Sequence, residues 1–481
     1  MDAENIDEKI EETAAVTHRI VHIDLKGAPP KISYLLKLIP LFRQWGATGI
    51  LIEYEDMFPF RESLSMLSKP YAYTTDDLRS LQEVTKAEGM VYVPLLQSFG
   101  HVEFILKHQE FRYLREATMN PMSLCPTHKD SLPLIEKIVD QYMQEHNDLE
   151  YLHIGGDEVF CLGLCKECLE TQQSNAKLFL SHMMPLIKVI EAKYPAIKII
   201  IWDDMFREFS VPDLEMLGPT VIPMVWSYVD DLTNQFPSNM WGRYGDVFDE
   251  IWIASSFKGS SGPVCDMVPI QHHVNNHLSW LSLIESLDSN IKNKIKGLAV
   301  TGWSRYDHFA TLCEILPIAL PCLALCLQIF KEKRFTKQLH ENVSKQIGYL
   351  SLIPFNNINT RYDITCGNFP GSELVIYMSQ LELVKHQIMA AQERLDGWID
   401  SWHVDVVKKI NYGHLEYISS LLNRSISSYE AIRSPLLECL SYHFYEETIQ
   451  EFVKVKVDSK LKKAMDLLTK VQSVESVCCS Q

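Results

Sequence analysis

A chain of 481 residues, 46% of them hydrophobic, can bury a large core and is longer than one ordinary compact domain. Its 62 acidic and 45 basic residues leave a net charge of -17. That balance repels phosphate backbones and anionic lipid surfaces, so neither nucleic acid nor a membrane is expected as a partner.

The chain opens with MDAENIDEKIEETAAV, which is acidic and lacks the basic start and apolar run of a secretory leader. Residues 1–17 are therefore expected to be a solvated tail. Twelve cysteines without such a leader point to reduced thiols in the cytoplasm or nucleus rather than a disulfide framework. On that reading the sequons at Asn342 and Asn423 are chance matches.

Residues 18–335 repeat one pattern: a short apolar or β-branched run, a polar loop, then an amphipathic helical stretch. Eight runs are found: RIVHIDL from Arg19, TGILIEY from Thr48, MVYVPLL from Met90, LEYLHIG from Leu149, IKIIIWD from Ile197, VIPMVWS from Val221, EIWIASS from Glu250 and KGLAVTGW from Lys296. The first strand leads into Asp24-Leu25-Lys26-Gly27-Ala28-Pro29-Pro30 and not into a Gly-rich phosphate turn. This favours a closed (β/α)8 TIM barrel, an α/β fold, over an open doubly wound sheet.

In such a barrel the chemistry sits where strands end, because all the C-terminal ends converge on one mouth. Asp56 follows strand two, and strand three leads into Gln97-Ser98-Phe99-Gly100-His101. His101 is either an ordinary core histidine or, beside Asp56, half of a relay that orients an acid. Strand four ends in His153-Ile154-Gly155-Gly156-Asp157-Glu158. Neighbours on a regular strand face opposite ways, so a working acid pair needs the strand to break first, and two glycines allow that. Alone, an Asp-Glu dipeptide is usually just a solvated loop. Its place after a barrel strand is what marks it.

Cys161, Cys165 and Cys168 follow with the spacing CxxxCxxC. No second cysteine pair stands at a distance suited to complete a zinc site, so they are read as reduced thiols with no metal expected, a structural zinc site being the alternative. Strand five ends in Trp202-Asp203-Asp204, strand six in Trp226-Ser227-Tyr228, and strand eight in Trp303-Ser304-Arg305-Tyr306-Asp307. One tryptophan is usually core, but three at strand ends suggest walls for the C–H faces of a sugar, with carboxylates and hydroxyls beside them.

The apolar stretch 315–327 is too short for a bilayer and is broken by Pro317 and Pro321, so a buried helix is predicted. Residues 336–481 carry apolar residues three and four apart and form a helical C-terminal region. Whether these helices also build a homodimer is left open by the sequence.

The strand-four ending matches the His/Asn-x-Gly-x-Asp-Glu signature of glycoside hydrolase family 20, which the chain resembles. Similarity to the hexosaminidase D branch of that family extends over nearly the whole chain, through VHIDLKGAPPKISYL, LIEYEDMFPF, SFGHVEFILKH, WDDM, SSFKGSSGP and TGWSRYDH. The resemblance implies a retaining exo-β-N-acetylhexosaminidase without cofactor, acting on glycoconjugates or oligosaccharides with a terminal N-acetylhexosamine and using the substrate's own acetamide as nucleophile. It makes Glu158 the general acid and base and Asp157 the acceptor of the acetamide N–H. One carboxyl must hold a proton while the other is ionised, and the expectation is a protonated Glu158 beside a charged Asp157. Trp202, Trp226 and Trp303 resemble the aromatic walls, and Asp56 and His101 the supporting relay. Asp203 is taken as a further substrate contact.

The chain also departs from the family pattern. Lys26 stands where relatives carry an arginine that grips ring hydroxyls, and Arg305 and Tyr306 stand where they carry a glutamate. A lysine cannot make the two-pronged contact of a guanidinium. Tyr228 substitutes for a tyrosine that braces the acetamide carbonyl. Sugar preference stays open, with a leaning towards galactosaminides, and a mildly acidic to neutral pH optimum is expected. Two other readings compete: a metal-dependent barrel hydrolase using His101, Asp157, Asp203 and His308, and a sugar-binding barrel that has lost catalysis.

Overall fold

The computed structural model describes residues 16–355 and 367–479. All but the last two residues of the expected acidic tail, 1–17, lie outside that range. The described residues form ten strands: β1 (His18–Asp24), β2 (Gly49–Glu53), β3 (Val91–Leu95), β4 (Arg115–Ala117), β5 (Asn120–Leu124), β6 (Tyr151–His153), β7 (Lys198–Trp202), β8 (Val221–Trp226), β9 (Ile251–Lys258) and β10 (Ile295–Gly302). Eight of them close a barrel in the order β1-β10-β9-β8-β7-β6-β3-β2, and each of the eight barrel pairings is parallel. These are the eight runs expected from the sequence. The antiparallel β4–β5 hairpin, inserted between β3 and β6, was not foreseen.

The period-two rule of a strand explains how the barrel positions its site. Ile20, Leu51, Val93, Tyr151, Ile200, Ile222, Trp252 and Ala299 form an inner cluster separate from the larger core between strands and helices. Further along the same inward parity polar or indole side chains follow on several strands, two residues on at His22, Glu53, His153 and Trp202 and four on at Trp226. The barrel is therefore plugged with hydrocarbon below and lined with hydrogen-bonding groups at its mouth.

The helix Leu316–Glu332 takes up the apolar stretch and is buried along nearly its whole length, with Pro317 in its first turn and Pro321 inside. Among the described residues no helix is long and apolar enough to cross a membrane. Long helices at Glu373–Trp398, Tyr412–His443 and Ser459–Cys479 pack on one another. The end of the second and the short helix Glu446–Phe452 after it reach the barrel mouth: Lys31 N–H donates to His443 O at 2.7 Å, and Thr448 Oγ1 donates to Gly27 O at 3.0 Å.

Candidate active site

At the end of β6, Gly155 and Gly156 take φ of +66° and +90°, a region open to glycine but costly for other residues. A Cβ on Gly155 would lie 2.0 Å from Gln97 Oε1. The strand thus breaks where the sequence suggested, and both acids that follow face one cleft. Glu158 and His101 themselves adopt positive φ, +47° and +49°, backbone strain of the kind that gathers at functional sites.

The cleft holds about 680 Å³ of open space and is lined by Lys26, Gln97, His101, Asp157, Glu158, Trp202, Trp226, Tyr228, Gly259, Ser260, Trp303, Arg305 and Tyr306. Trp202 and Trp303 stand with ring centroids 6.0 Å apart, and Tyr228 stacks on Trp226 at 5.2 Å. Asp157 Oδ1 and Trp202 Nε1 are buried without a hydrogen-bond partner among the described residues, leaving an acceptor and a donor for a ligand.

The two acids differ in environment. The Asp157 side chain is 9% exposed and that of Glu158 34%. Burial pushes the Asp157 carboxyl up to about 7, against the pull of His101 and with further upward push from Asp204, Glu53 and Glu158. In the ligand-free pocket burial thus works against the charge expected on Asp157. His101 Nε2 lies 3.1 Å from Glu158 Oε2 and 3.7 Å from Asp157 Oδ2. Burial opposes its charge, but Asp157 and Glu158 prevail and raise its imidazole to about 10.

Below the cleft is a buried charged layer. Lys26 Nζ lies 3.1 Å from Glu55, 3.7 Å from Asp24 and 3.9 Å from Glu53. Burial would lower the lysine's pKa, yet these carboxylates raise it well above the ordinary value. Glu53 also accepts from Gln97 Nε2 at 3.1 Å and meets His22 at 3.0 Å. Burial alone would raise the Glu53 carboxyl, but Lys26, His22 and Gln97 hold it well below the usual range. Arg305 lines the cleft with its guanidinium tied to Glu451 and to Ala310 O.

Two expected site residues are placed elsewhere. Asp203 is fully buried and held by both prongs of Arg207, at 2.7 and 2.8 Å, and does not line the cleft. Its neighbour Asp204 does the bridging: Oδ2 accepts the Glu158 backbone N–H at 2.9 Å and Oδ1 accepts Trp226 Nε1–H at 3.0 Å. Asp56 pairs with Lys107 at 2.6 Å and lies 3.7 Å from His308, so the expected Asp56–His101 relay is not formed. The four groups of the metal-dependent alternative do not converge either, since His308 is drawn to Glu55 and Asp203 to Arg207. Gln97, Asp204 and Ser260 were missed. Gln97 had a signal, lying with His101 in the segment after β3, but which of Asp203 and Asp204 turns to the mouth depends on a bend that spacing does not encode.

A parallel barrel with paired acids and an indole-walled cleft at its mouth has the make-up of a sugar-cleaving hydrolase. Residues 48–240 match the model of glycosyl hydrolase family 20, catalytic domain. The chain is 34% identical over 469 residues to human hexosaminidase D, covering 95% of both, and 39% identical over 343 residues to the Bos taurus protein of that name, covering 69% of this chain and 98% of that one. This chain therefore belongs to glycoside hydrolase family 20, in its hexosaminidase D branch.

Among solved structures, the exo-β-N-acetylglucosaminidase of this family from Vibrio harveyi, in complex with N-acetylglucosamine, shares the fold at TM-score 0.50 and 14% identity, over 70% of this chain and 58% of that one. A second, described as a β-N-acetylhexosaminidase, also gives 0.50 at 12% identity, over 70% and 76%. The family match takes in Asp157, Glu158, Trp202, Trp226 and Tyr228. Lys26, Trp303 and Arg305 lie beyond it.

Proposed function

We propose that this hydrolase releases terminal β-linked N-acetylgalactosamine or N-acetylglucosamine from glycoconjugates with retention of configuration, using the substrate's acetamide as nucleophile. The observation that carries the reading is a buried Asp157 next to a more open Glu158, both facing indole walls in one cleft. A single carboxyl would serve acid catalysis alone. The second, dry one suits a partner that brings its own N–H, and the spare Oδ1 of Asp157 is such an acceptor.

In this mechanism Trp202, Trp226 and Trp303 pack the acetamide beneath the anomeric carbon, so that its entropy of approach is settled on binding. Glu158 gives its proton to the glycosidic oxygen as that bond breaks. The acetamide oxygen bonds to the anomeric carbon, and Asp157 accepts the acetamide N–H and offsets the positive charge of the ring so formed. The His101 imidazolium steadies the new Glu158 carboxylate. Glu158 then takes a proton from water as that water opens the ring, and two inversions give retention. Tyr228, which lines the cleft, is the tyrosine that would brace the acetamide carbonyl. Lys26, held by three carboxylates, and Arg305, held by Glu451 and Ala310 O, both line the cleft and are the cationic candidates for meeting ring hydroxyls.

The deciding assay compares aryl β-N-acetylgalactosaminide, aryl β-N-acetylglucosaminide and the non-acetylated glucoside. Turnover is expected only with the acetylated pair. Equal hydrolysis of the third would eliminate acetamide participation, and binding without turnover of any would make this a binding barrel. We also propose a reducing cytoplasmic or nuclear setting, in which the twelve cysteines stay unpaired; fractionation of cells tests it.

A further inference from the structure

The sequence pattern Cys161, Cys165, Cys168 lacked a plausible fourth partner, and the fold supplies two that spacing could not reveal. Cys125 comes from just beyond β5 and Glu116 from β4. With Cys165 and Cys168 they bring their ligand atoms within 4.8 Å of one another. Cys125 Sγ lies 3.5 Å from Cys165 Sγ and 3.7 Å from Cys168 Sγ, and Cys168 Sγ lies 3.3 Å from Glu116 Oε2. Cys161 stays outside, its Sγ accepting from Asn120 Nδ2 at 3.2 Å.

Zinc bonds sulfur at about 2.3 Å and carboxylate oxygen at about 2.0–2.2 Å. Around a tetrahedral ion these lengths put two sulfurs roughly 3.8 Å apart, and a sulfur and an oxygen roughly 3.5 Å apart. The observed separations fall within a few tenths of those values, whereas a disulfide would need about 2.05 Å.

Contacts among thiols alone would not distinguish a metal site from packed cysteines, but Glu116 does. It is buried, and none of the described ion pairs includes it. One oxygen, Oε1, accepts the backbone N–H groups of Leu164 (2.5 Å) and Cys165 (2.9 Å), which fixes the carboxylate and turns Oε2 onto the sulfurs. A buried carboxylate without a cation is costly, and a divalent ion would supply the missing charge. The sulfurs already have outer partners of the kind that orient metal ligands. Thr127 Oγ1 lies 3.2 Å from Cys125 Sγ and 3.3 Å from Cys168 Sγ, and Cys165 Sγ accepts the Cys168 N–H at 3.3 Å.

We propose that Cys125, Cys165, Cys168 and Glu116 form a structural zinc site that clamps the loop after β6, which carries Asp157 and Glu158, to the β4–β5 hairpin. That hairpin in turn holds the segment bearing His101: Leu124 N–H donates to Phe99 O at 3.2 Å and Val102 N–H to Met122 O at 3.1 Å. None of the four ligands lines the cleft, so the ion acts through loop position and not on the sugar.

The test is metal content, read whether or not the protein turns over substrate. The full chain, expressed with zinc and purified without a metal-affinity step, is expected to carry one zinc per chain by plasma mass spectrometry. Cys125→Ser or Cys168→Ser should lower that content about tenfold or more, while Cys161→Ser keeps it. Because ligand variants can misfold, the unmodified chain is also produced with cobalt, where intense visible bands of a tetrahedral thiolate site are expected. Less than a tenth of an equivalent of zinc together with no such bands would overturn the proposal, as would a Cys125–Cys165 or Cys125–Cys168 disulfide found by peptide mapping after blocking free thiols.

Discussion

Asp157 and Glu158 are consecutive residues with the same functional group, and burial is what separates their tasks. Desolvation pushes the Asp157 carboxyl up to about 7, so on the proposed mechanism the free enzyme would bind substrate productively only as that proton leaves. kcat/KM should therefore rise with pH through about 7, roughly tenfold per unit on the acid side. Once bound, the acetamide N–H favours the carboxylate, so the corresponding limb of kcat should lie at lower pH. A kcat/KM limb absent near neutrality would contradict the assignment. Asp157→Asn should remove the limb and cut kcat by about 10²- to 10³-fold, with weaker inhibition by thiazoline mimics of the cyclised intermediate.

Glu158→Gln should lower turnover by about 10²- to 10⁴-fold for poor leaving groups and much less for nitrophenolate, which departs without a proton. A leaving-group series measures this, and an equal loss across the series would point to a structural defect. In the unmodified chain His101, raised to about 10 by Asp157 and Glu158, should remain charged across the pH profile.

At the scale of elements, the turn after β6 decides whether two adjacent acids can share a cleft. Gly155→Ala would both place a side chain at φ +66° and drive its Cβ into Gln97 Oε1. Displacing Gln97 would also disturb its hydrogen bond to Glu53. A stability loss of about 1–3 kcal/mol is expected, measured by urea unfolding, together with loss of activity. Gln97→Ala in the same chain should recover the part due to collision and leave the part due to φ. Full recovery would show that the backbone is not strained there.

Across the whole molecule, the C-terminal helices are held to the barrel by charge. Asp266 contacts Lys456 at 2.7 Å, Lys460 at 2.5 Å and Lys385 at 3.3 Å. Burial would raise its carboxyl, but Lys460 and Lys456 hold it down at about 2. A carboxyl whose pKa is lower folded than unfolded stabilises above the unfolded value, near 4, and this contribution fades as pH falls towards 2. It amounts to about 2 kcal/mol at neutral pH. Asp266→Asn should remove it and leave the buried Lys456 ammonium without its main partner, a loss of about 3–5 kcal/mol in all. Thermal unfolding at neutral pH and between about pH 4 and 2 checks both the size and the flattened acid dependence.

The barrel was legible in the sequence because hydrophobic periodicity is local: each run of β-branched residues announces its own strand, and eight of them leave few ways to close. The acid pair and the three indoles were legible for the same reason, as ends of recognisable strands. Asp203 and Asp56 were misplaced because the choice between adjacent acids depends on how a loop bends and on distant partners such as Arg207 and Lys107. The raised Asp157 carboxyl and the meeting of Cys125 and Glu116 with Cys165 and Cys168 likewise arise from chain segments far apart in sequence. Local patterning sets elements and candidates, while desolvation and convergence belong to the folded chain, because both depend on what surrounds a group in space.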